Sequence, residues 1–391
     1  MPPDTPFPFA RQVKELFLER QPTILGLTRA LVEIESPSGD QTGSVAVVEL
    51  LSQAAEAARC VNSIDRVDVP DFGQHLVIRA FQEKASAGNI LLVGHTDTVH
   101  PRGSVLKRPW RQEGERIYGP GIFDMKGNCA LAIALLHACD DLNIVPNSGV
   151  ILALTCDEEV GSSSGWPVLR SIAEKEGVRG ALILEPPAPG GKVKTGRKGT
   201  GIFKMHVEGR AAHAGLDPQK GASAILELAK QIQRLHALNI SGSGITANVG
   251  VVKGGTRSNV VAAEATAEID VRFATAAEAK IVEATLVNTS AFDERVRINV
   301  SGGINRPPLE RTEKVVEIYE RARTIAALLD WELGETQVGG ASDGNFLAAM
   351  DMPVLDGLGI DGEGAHATDE HIVADDLPQR GALLIGLIAS L

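Results

Sequence analysis

Cysteine is scarce. The 391 residues hold four, Cys60, Cys129, Cys139 and Cys156, and none belongs to a C-x-x-C pair. Three of them lie in apolar stretches. This argues against a disulfide scaffold and against a cysteine metal site, and predicts reduced, buried thiols in a cytoplasmic protein. An excess of positive charge is also missing. Lys and Arg number 38 against 50 Asp and Glu, giving a formal net charge of −12 and a pI of about 5.3. Nucleic acid and anionic membrane surfaces are therefore poor partners. No apolar run is read as reaching the ~20 residues of a membrane span. The N-terminal MPPDTPFPFARQVKELFLERQP lacks the apolar stretch of a signal peptide, and residues 12–35 read as a surface helix. Internal repeats and low-complexity tracts are absent as well.

What is present is an ordinary globular balance, 43% hydrophobic and 23% charged, in a chain too long for one core. Two domains are expected. Residues 89–99 (NILLVGHTDTV), 148–157 (SGVILALTCD) and 180–186 (GALILEP) are apolar, β-rich runs separated by helical stretches at 125–141 and 161–177. The second helix is expected to start from a cap within Gly161–Ser164. Such alternation predicts an α/β domain, its mostly parallel mixed sheet lying between helices, with ligands at the C-terminal ends of the strands. Near residue 200 the pattern changes. The strand GIFKMHVEG (201–209), a helix at 221–238, strands at 246–255 and 263–274, a helix at 276–289 and the strand RVRINVSG (295–302) follow in turn. This β-α-β-β-α-β order predicts a ferredoxin-like α+β domain inserted into the first. Domain limits are placed at 1–198 with 310–391 for the larger domain and 199–309 for the insert.

Acids and histidines end the apolar runs. His95 and Asp97 stand in LLVGHTDTV, Asp124 in GPGIFDMKG, Glu158 and Glu159 in LALTCDEEVG, Glu185 in ALILEPP, and His366 in GEGAHATDE. Such groups are rarely buried unless paired or bound to metal. Two histidines and three carboxylates suffice for two divalent ions sharing one carboxylate, a kit for metal-assisted amide hydrolysis. His95 and Asp97, two apart on a strand, point to one side, and Asp97 is placed to orient the imidazole. Taken alone the pair fits an ordinary strand end equally well, and Asp124 alone reads as an N-cap. Adjacent Glu158 and Glu159 would repel without a cation or proton between them, and one of the two can ligate while the other serves as a base. Asp343 in GGASDGNF reads as structural support. His213, Asn259 and Arg272 in the insert read equally as solvated side chains on the surface. His75, His100, His137, His206, His236 and His371 are read as structural or solvated.

The motifs HTDTV, GPGIFDMKG, DEEVGS, LEP, HAG, GGASDGNF and GAHATDE, in this order along nearly the whole chain, resemble the di-zinc metallopeptidase and deacylase family of glutamate carboxypeptidase. Acetylornithine deacetylase, succinyl-diaminopimelate desuccinylase and tripeptidase T are similar relatives. The resemblance implies Asp124 as the carboxylate between two Zn2+ ions, with Co2+ or Mn2+ as substitutes. It implies His95 and Glu185 on one ion, and Glu159 and His366 on the other. Asp97 would orient His95, and Glu158 would be the general base. His213 would steady the oxyanion from a partner subunit, and Arg272 and Asn259 would hold polar groups of the substrate. A homodimer formed through the inserted lid is implied, as is removal of a C-terminal amino acid such as Glu from a peptide or N-acyl conjugate. The other readings are an N-acyl-amino-acid deacylase and a non-catalytic, metal-dependent binding protein on the same fold. Lys192, Lys194, Arg197, Lys198, Arg257, Arg272 and Arg306 are candidate partners for a substrate carboxylate, of which two or three are expected to touch it.

Overall fold

The computed structural model describes residues 7–240 and 242–391. The chain forms two compact units. One runs up to Gly196 and takes in Arg311–Val338 and Ser342–Leu391; the other is Arg197–Glu310 with Gly339–Ala341. The insert thus begins at 197 rather than 199 and ends at 310 rather than 309. Arg197 and Leu309 exchange both backbone hydrogen bonds at 3.0 Å, so the two crossing strands leave as a pair. The Arg197 guanidinium donates to the carbonyls of Gly340 and Ala341 at 3.3 Å, which attaches that tripeptide to the insert.

The larger unit is built on a six-stranded mixed sheet. Its order is Val61–Val69, Gly73–Ala80, Gly149–Thr155, Asn89–His95, Val178–Ile183 and Val354–Leu355. The first two strands form an antiparallel hairpin, and the four from Gly149–Thr155 onward run parallel. Asn89–His95 and Gly149–Thr155 are buried at every position, as expected of parallel strands covered on both faces. The amphipathic helix Ala10–Glu33, the helix Gly127–Leu142 and the C-terminal helix Leu377–Ser390 pack together as one core layer. The first of these is less superficial than expected, because Val13, Phe17, Leu31 and Val32 are sealed in the core.

Two further expectations need correction. The stretch Ile122–Leu142 is long and apolar enough to cross a membrane, but 83% of its most apolar window is buried inside the unit. Core helices and membrane spans share that composition, and here protein replaces lipid around it. The helix at 161–177 is Gly165–Lys175 and starts from Ser164, inside the expected cap region, but the serine side chain does not cap its N–H groups. Asp157 does so from the preceding turn, accepting from Ser164 N at 2.7 Å and Gly165 N at 3.1 Å.

The second unit is a four-stranded antiparallel sheet in the order Thr246–Gly254, Glu264–Phe273, Gly199–Glu208, Arg297–Arg306. That is the ferredoxin-like order. Helices Ala224–His236 and Ala276–Val287 supply Leu228, Leu235, Val282 and Leu286 to a separate core with Phe203, Met205, Val271 and Phe273. Thr275 and Glu278 form a capping box on the second helix.

Candidate metal centre

Three parallel strands deliver the ligand candidates at their C-terminal ends. His95 closes Asn89–His95, Glu158 and Glu159 follow Thr155 after two residues, and Glu185 follows Ile183 after one. Asp124 comes from a different device. It lies in a loop between Gly121 and the start of the Gly127–Leu142 helix, with non-helical φ −120° and ψ 87°, so it does not cap the helix. The Asp124–Met125 peptide bond is cis. Gly121 is required there: its φ is +69°, and a Cβ would collide with Thr98 Cγ2. His366 sits in the loop of a hairpin between Gly362–Glu363 and His371–Val373 with φ +65°, an uncommon conformation for a residue with a side chain.

These groups converge. His95 Nε2 stands 3.1 Å from Asp124 Oδ1 and 3.6 Å from Glu185 Oε1. His366 Nε2 stands 3.4 Å from Asp124 Oδ2 and 3.0 Å from Glu159 Oε2. Asp124 therefore turns one oxygen to each of two ligand groups, His95–Asp124–Glu185 and Asp124–Glu159–His366. Burial alone would lower the basicity of His95, but the Asp124 and Asp97 carboxylates outweigh it and hold the imidazole well above its ordinary value. Asp124 and Glu159 lift His366 to about 10. Burial opposes ionisation of Asp124, yet the two imidazoles keep it well below the usual carboxylate range. The pocket thus concentrates negative charge that protons on two histidines only partly offset. Glu159 Oε1 is buried without a hydrogen-bond partner, which is costly unless something else is to be bound there. Carboxylates and imidazoles in two groups sharing one carboxylate fit a pair of divalent cations.

Asp97 ties this cluster together. His95 Nδ1 lies 3.0 Å from the Asp97 carbonyl oxygen and 3.4 Å from its carboxylate Oδ1. That carboxylate also accepts from Glu158 N and Glu159 N, each at 3.2 Å, and from Ser38 Oγ at 2.6 Å. It thereby fixes the backbone that carries both glutamates. Glu158 and Glu185 are each only 8% exposed. Asp343 is buried and accepts from Thr155 Oγ1 at 3.2 Å and from the Ser162 hydroxyl, so it braces the strand end rather than capping a helix.

The three insert residues belong to the second unit. His213 is exposed, and its Nδ1 accepts from Gly215 N and Leu216 N at 3.1 Å. The ring proton is therefore on Nε2, leaving a neutral donor. Asn259 is exposed beside it, its carbonyl accepting from Ala214 N at 3.0 Å. Arg272 is held in a fork by Asp270 at 2.8 and 2.9 Å. Reading the sequence missed Glu370 and assigned His100 no part in the site. Glu370 is buried against the Asp124 loop and hydrogen-bonds His100. The spacing H-x-x-x-E after His366 was the available signal.

The profile of peptidase family M20/M25/M40 matches residues 91–390. The chain belongs to this family. The M20 chain is 28% identical over 383 residues to carboxypeptidase G2 of Pseudomonas sp. (strain RS-16), covering 95% of this chain and 90% of the relative. It is also 28% identical over 389 residues to succinyl-diaminopimelate desuccinylase of Dinoroseobacter shibae, covering 92% and 96%. Among solved structures, the aminopeptidase PepT of Bacillus cereus superposes with a TM-score of 0.75 at 20% identity, covering 95% of this chain and 98% of that one. The YXEP protein of Bacillus subtilis, described as a dinuclear metal-binding peptidase of family M20, gives a TM-score of 0.70 at 15% identity, covering 94% and 97%. These likenesses carry the fold, and family membership places the chain among metal-dependent hydrolases of amide bonds.

Proposed function

We propose that this M20 chain is a carboxypeptidase, releasing a C-terminal amino acid such as Glu from a peptide or N-acyl conjugate at a two-ion centre. The observation that carries the two-ion reading is Asp124, with one oxygen in each ligand group. His95 and Glu185 would complete one site, Glu159 and His366 the other. Zinc is the proposed ion, and cobalt or manganese suit the same donors. Two bound ions would polarise the scissile carbonyl and lower the pKa of the attacking water. Glu158 would act as the general base, taking a proton from the attacking water and passing it to the leaving amine. Asp97 holds the Glu158 backbone and the His95 ring in place.

His213, with its Nε2 proton, is the proposed oxyanion donor, a role typically worth ~3–4 kcal/mol of barrier. It would act in a homodimer formed through the insert. Arg272 and Asn259 are proposed to hold substrate polar groups, with Asp270 fixing the guanidinium plane. The four cysteines are free thiols, in keeping with the proposed cytoplasmic setting.

The carboxypeptidase reading draws on the glutamate carboxypeptidase resemblance and on the carboxypeptidase G2 match across 95% of the chain. The second reading is an N-acyl-amino-acid deacylase, favoured by the desuccinylase match at the same identity. A metal-reconstituted enzyme should be offered a folate-like N-acyl-glutamate, dipeptides, N-acetyl-ornithine and N-succinyl-diaminopimelate. Release of Glu supports the proposal, and release of acetate or succinate moves the chain to the deacylases. Two bound ions with no turnover across the panel would point to a substrate outside it or to the non-catalytic binder.

A further inference from the structure

We propose that Glu370 is a positioning residue for Asp124, and that buried Glu370 and His100 with half-buried Arg108 form one relay setting both Asp124 and the loop of His366. The inference rests on the two-ion reading above. Glu370 is 2% exposed, and its carboxylate takes four donors. Oε1 accepts from Phe123 N and Asp124 N at 2.9 Å; Oε2 accepts from Gly121 N at 2.8 Å and from His100 Nε2. That fills the acceptor capacity of an ionised carboxylate.

The proton positions follow from the far end. Arg108 Nη2 donates to His100 Nδ1 at 3.3 Å. Arginine cannot accept, so Nδ1 carries the lone pair and the ring proton sits on Nε2, directed at Glu370. Arg108 Nη1 donates to the Ala367 carbonyl at 3.2 Å, one residue past His366. The Glu370 carbonyl accepts from Gly119 N at 3.3 Å. One chain of polar contacts therefore runs from the backbone of the Asp124 loop to that of the His366 loop. None of its three side chains is a proposed ligand. A carboxylate is needed at its centre, because glutamine would turn an NH2 toward N–H donors on one side. Partners of this kind, behind the ligands, typically change metal affinity by about 10–100-fold.

The test uses the full chain stripped of metal and titrated with cobalt(II) alone, reading visible absorption and competition with a chelator. Wild type is expected to take two ions. Glu370→Gln is expected to weaken both by about 10–100-fold and to shift the visible band, since Asp124 serves both groups. Arg108→Met, at a half-buried position that should leave the fold intact, is expected to weaken only the ion of the Asp124–Glu159–His366 group. A merely structural role would lower the folded fraction without moving the band of the folded protein. Should Glu370→Gln fail to fold, Arg108→Met decides the matter. Two ions in wild type, with unchanged affinities and bands in the folded variants, would overturn the relay and leave the two-ion centre standing. A wild type that binds no cobalt would overturn both.

Discussion

Asp97→Asn is a near-isosteric change whose effect should reach well beyond the residue. The Asp97 carboxylate is buried and accepts three hydrogen bonds, Oδ1 from Glu158 N and Oδ2 from Glu159 N and Ser38 Oγ. Asparagine keeps one oxygen and puts an NH2 where the other stood. In one orientation Glu158 N faces a donor; in the other Glu159 N does, while the Ser38 hydroxyl can turn to accept. Either way one buried backbone N–H is stranded, at a cost of ~1–3 kcal/mol. Domains are commonly stable by only ~5–15 kcal/mol, so the loss is readable. All three tryptophans, Trp110, Trp166 and Trp331, belong to the larger unit, so their fluorescence reports that unit's urea unfolding without the insert. The metal-free variant should unfold at clearly lower urea with an unchanged slope. Turnover of the reconstituted enzyme should fall as well, because the same two N–H groups carry the base and a ligand. A midpoint and a turnover both equal to wild type would refute the placement of Asp97 at the centre of the cluster.

Glu158→Gln should abolish turnover while two ions remain bound, and normal turnover in that variant would remove Glu158 from the mechanism. Loading the metal-free protein near pH 8 should release protons, because Asp124 and Glu159 hold His366 protonated up to about 10. Calorimetry in buffers of different ionisation heats would measure this, and apparent affinity should rise with pH up to that value. The same shift has a stability consequence. Raised in the folded metal-free chain above its ordinary 6.5, the imidazole stabilises fully below about pH 6.5, and the contribution is lost as pH climbs through about 10. Equal metal affinity at pH 6 and pH 9 would contradict this. His213→Ala should lower turnover with metal binding intact. Mixing it with Glu158→Ala subunits should restore part of the activity if the histidine acts across the dimer, and no recovery would count against action in trans.

The ligand candidates were legible in the sequence because burial and polarity clash there. His95, Glu158 and Glu185 stand at or just beyond the ends of apolar strand runs, where an ionisable group stands out. The insert was legible because Glu264–Phe273 alternates strictly between core and outer face. Glu370 left only its H-x-x-x-E spacing from His366 as a sequence signal. It lies in a polar stretch, and its partners are backbone N–H groups about 250 residues away in the chain, which side-chain patterns do not reveal. The cap by Asp157 escaped for a related reason: a turn brings it back onto Ser164 and Gly165, while the nearby serines carry the stronger local signal. Asp343 was legible as structural support, but its partners were not, because only the fold brings Thr155 and Ser162 to it.

The most direct test of the central claim is the number of ions the metal-free chain takes up, measured together with amide hydrolysis. The account predicts two per chain, activity that appears as they bind, and loss of both on Asp124→Ala, because that side chain serves both groups. Hydrolysis by fully chelated protein, or an Asp124→Ala variant that still binds two ions and turns over normally, would contradict it.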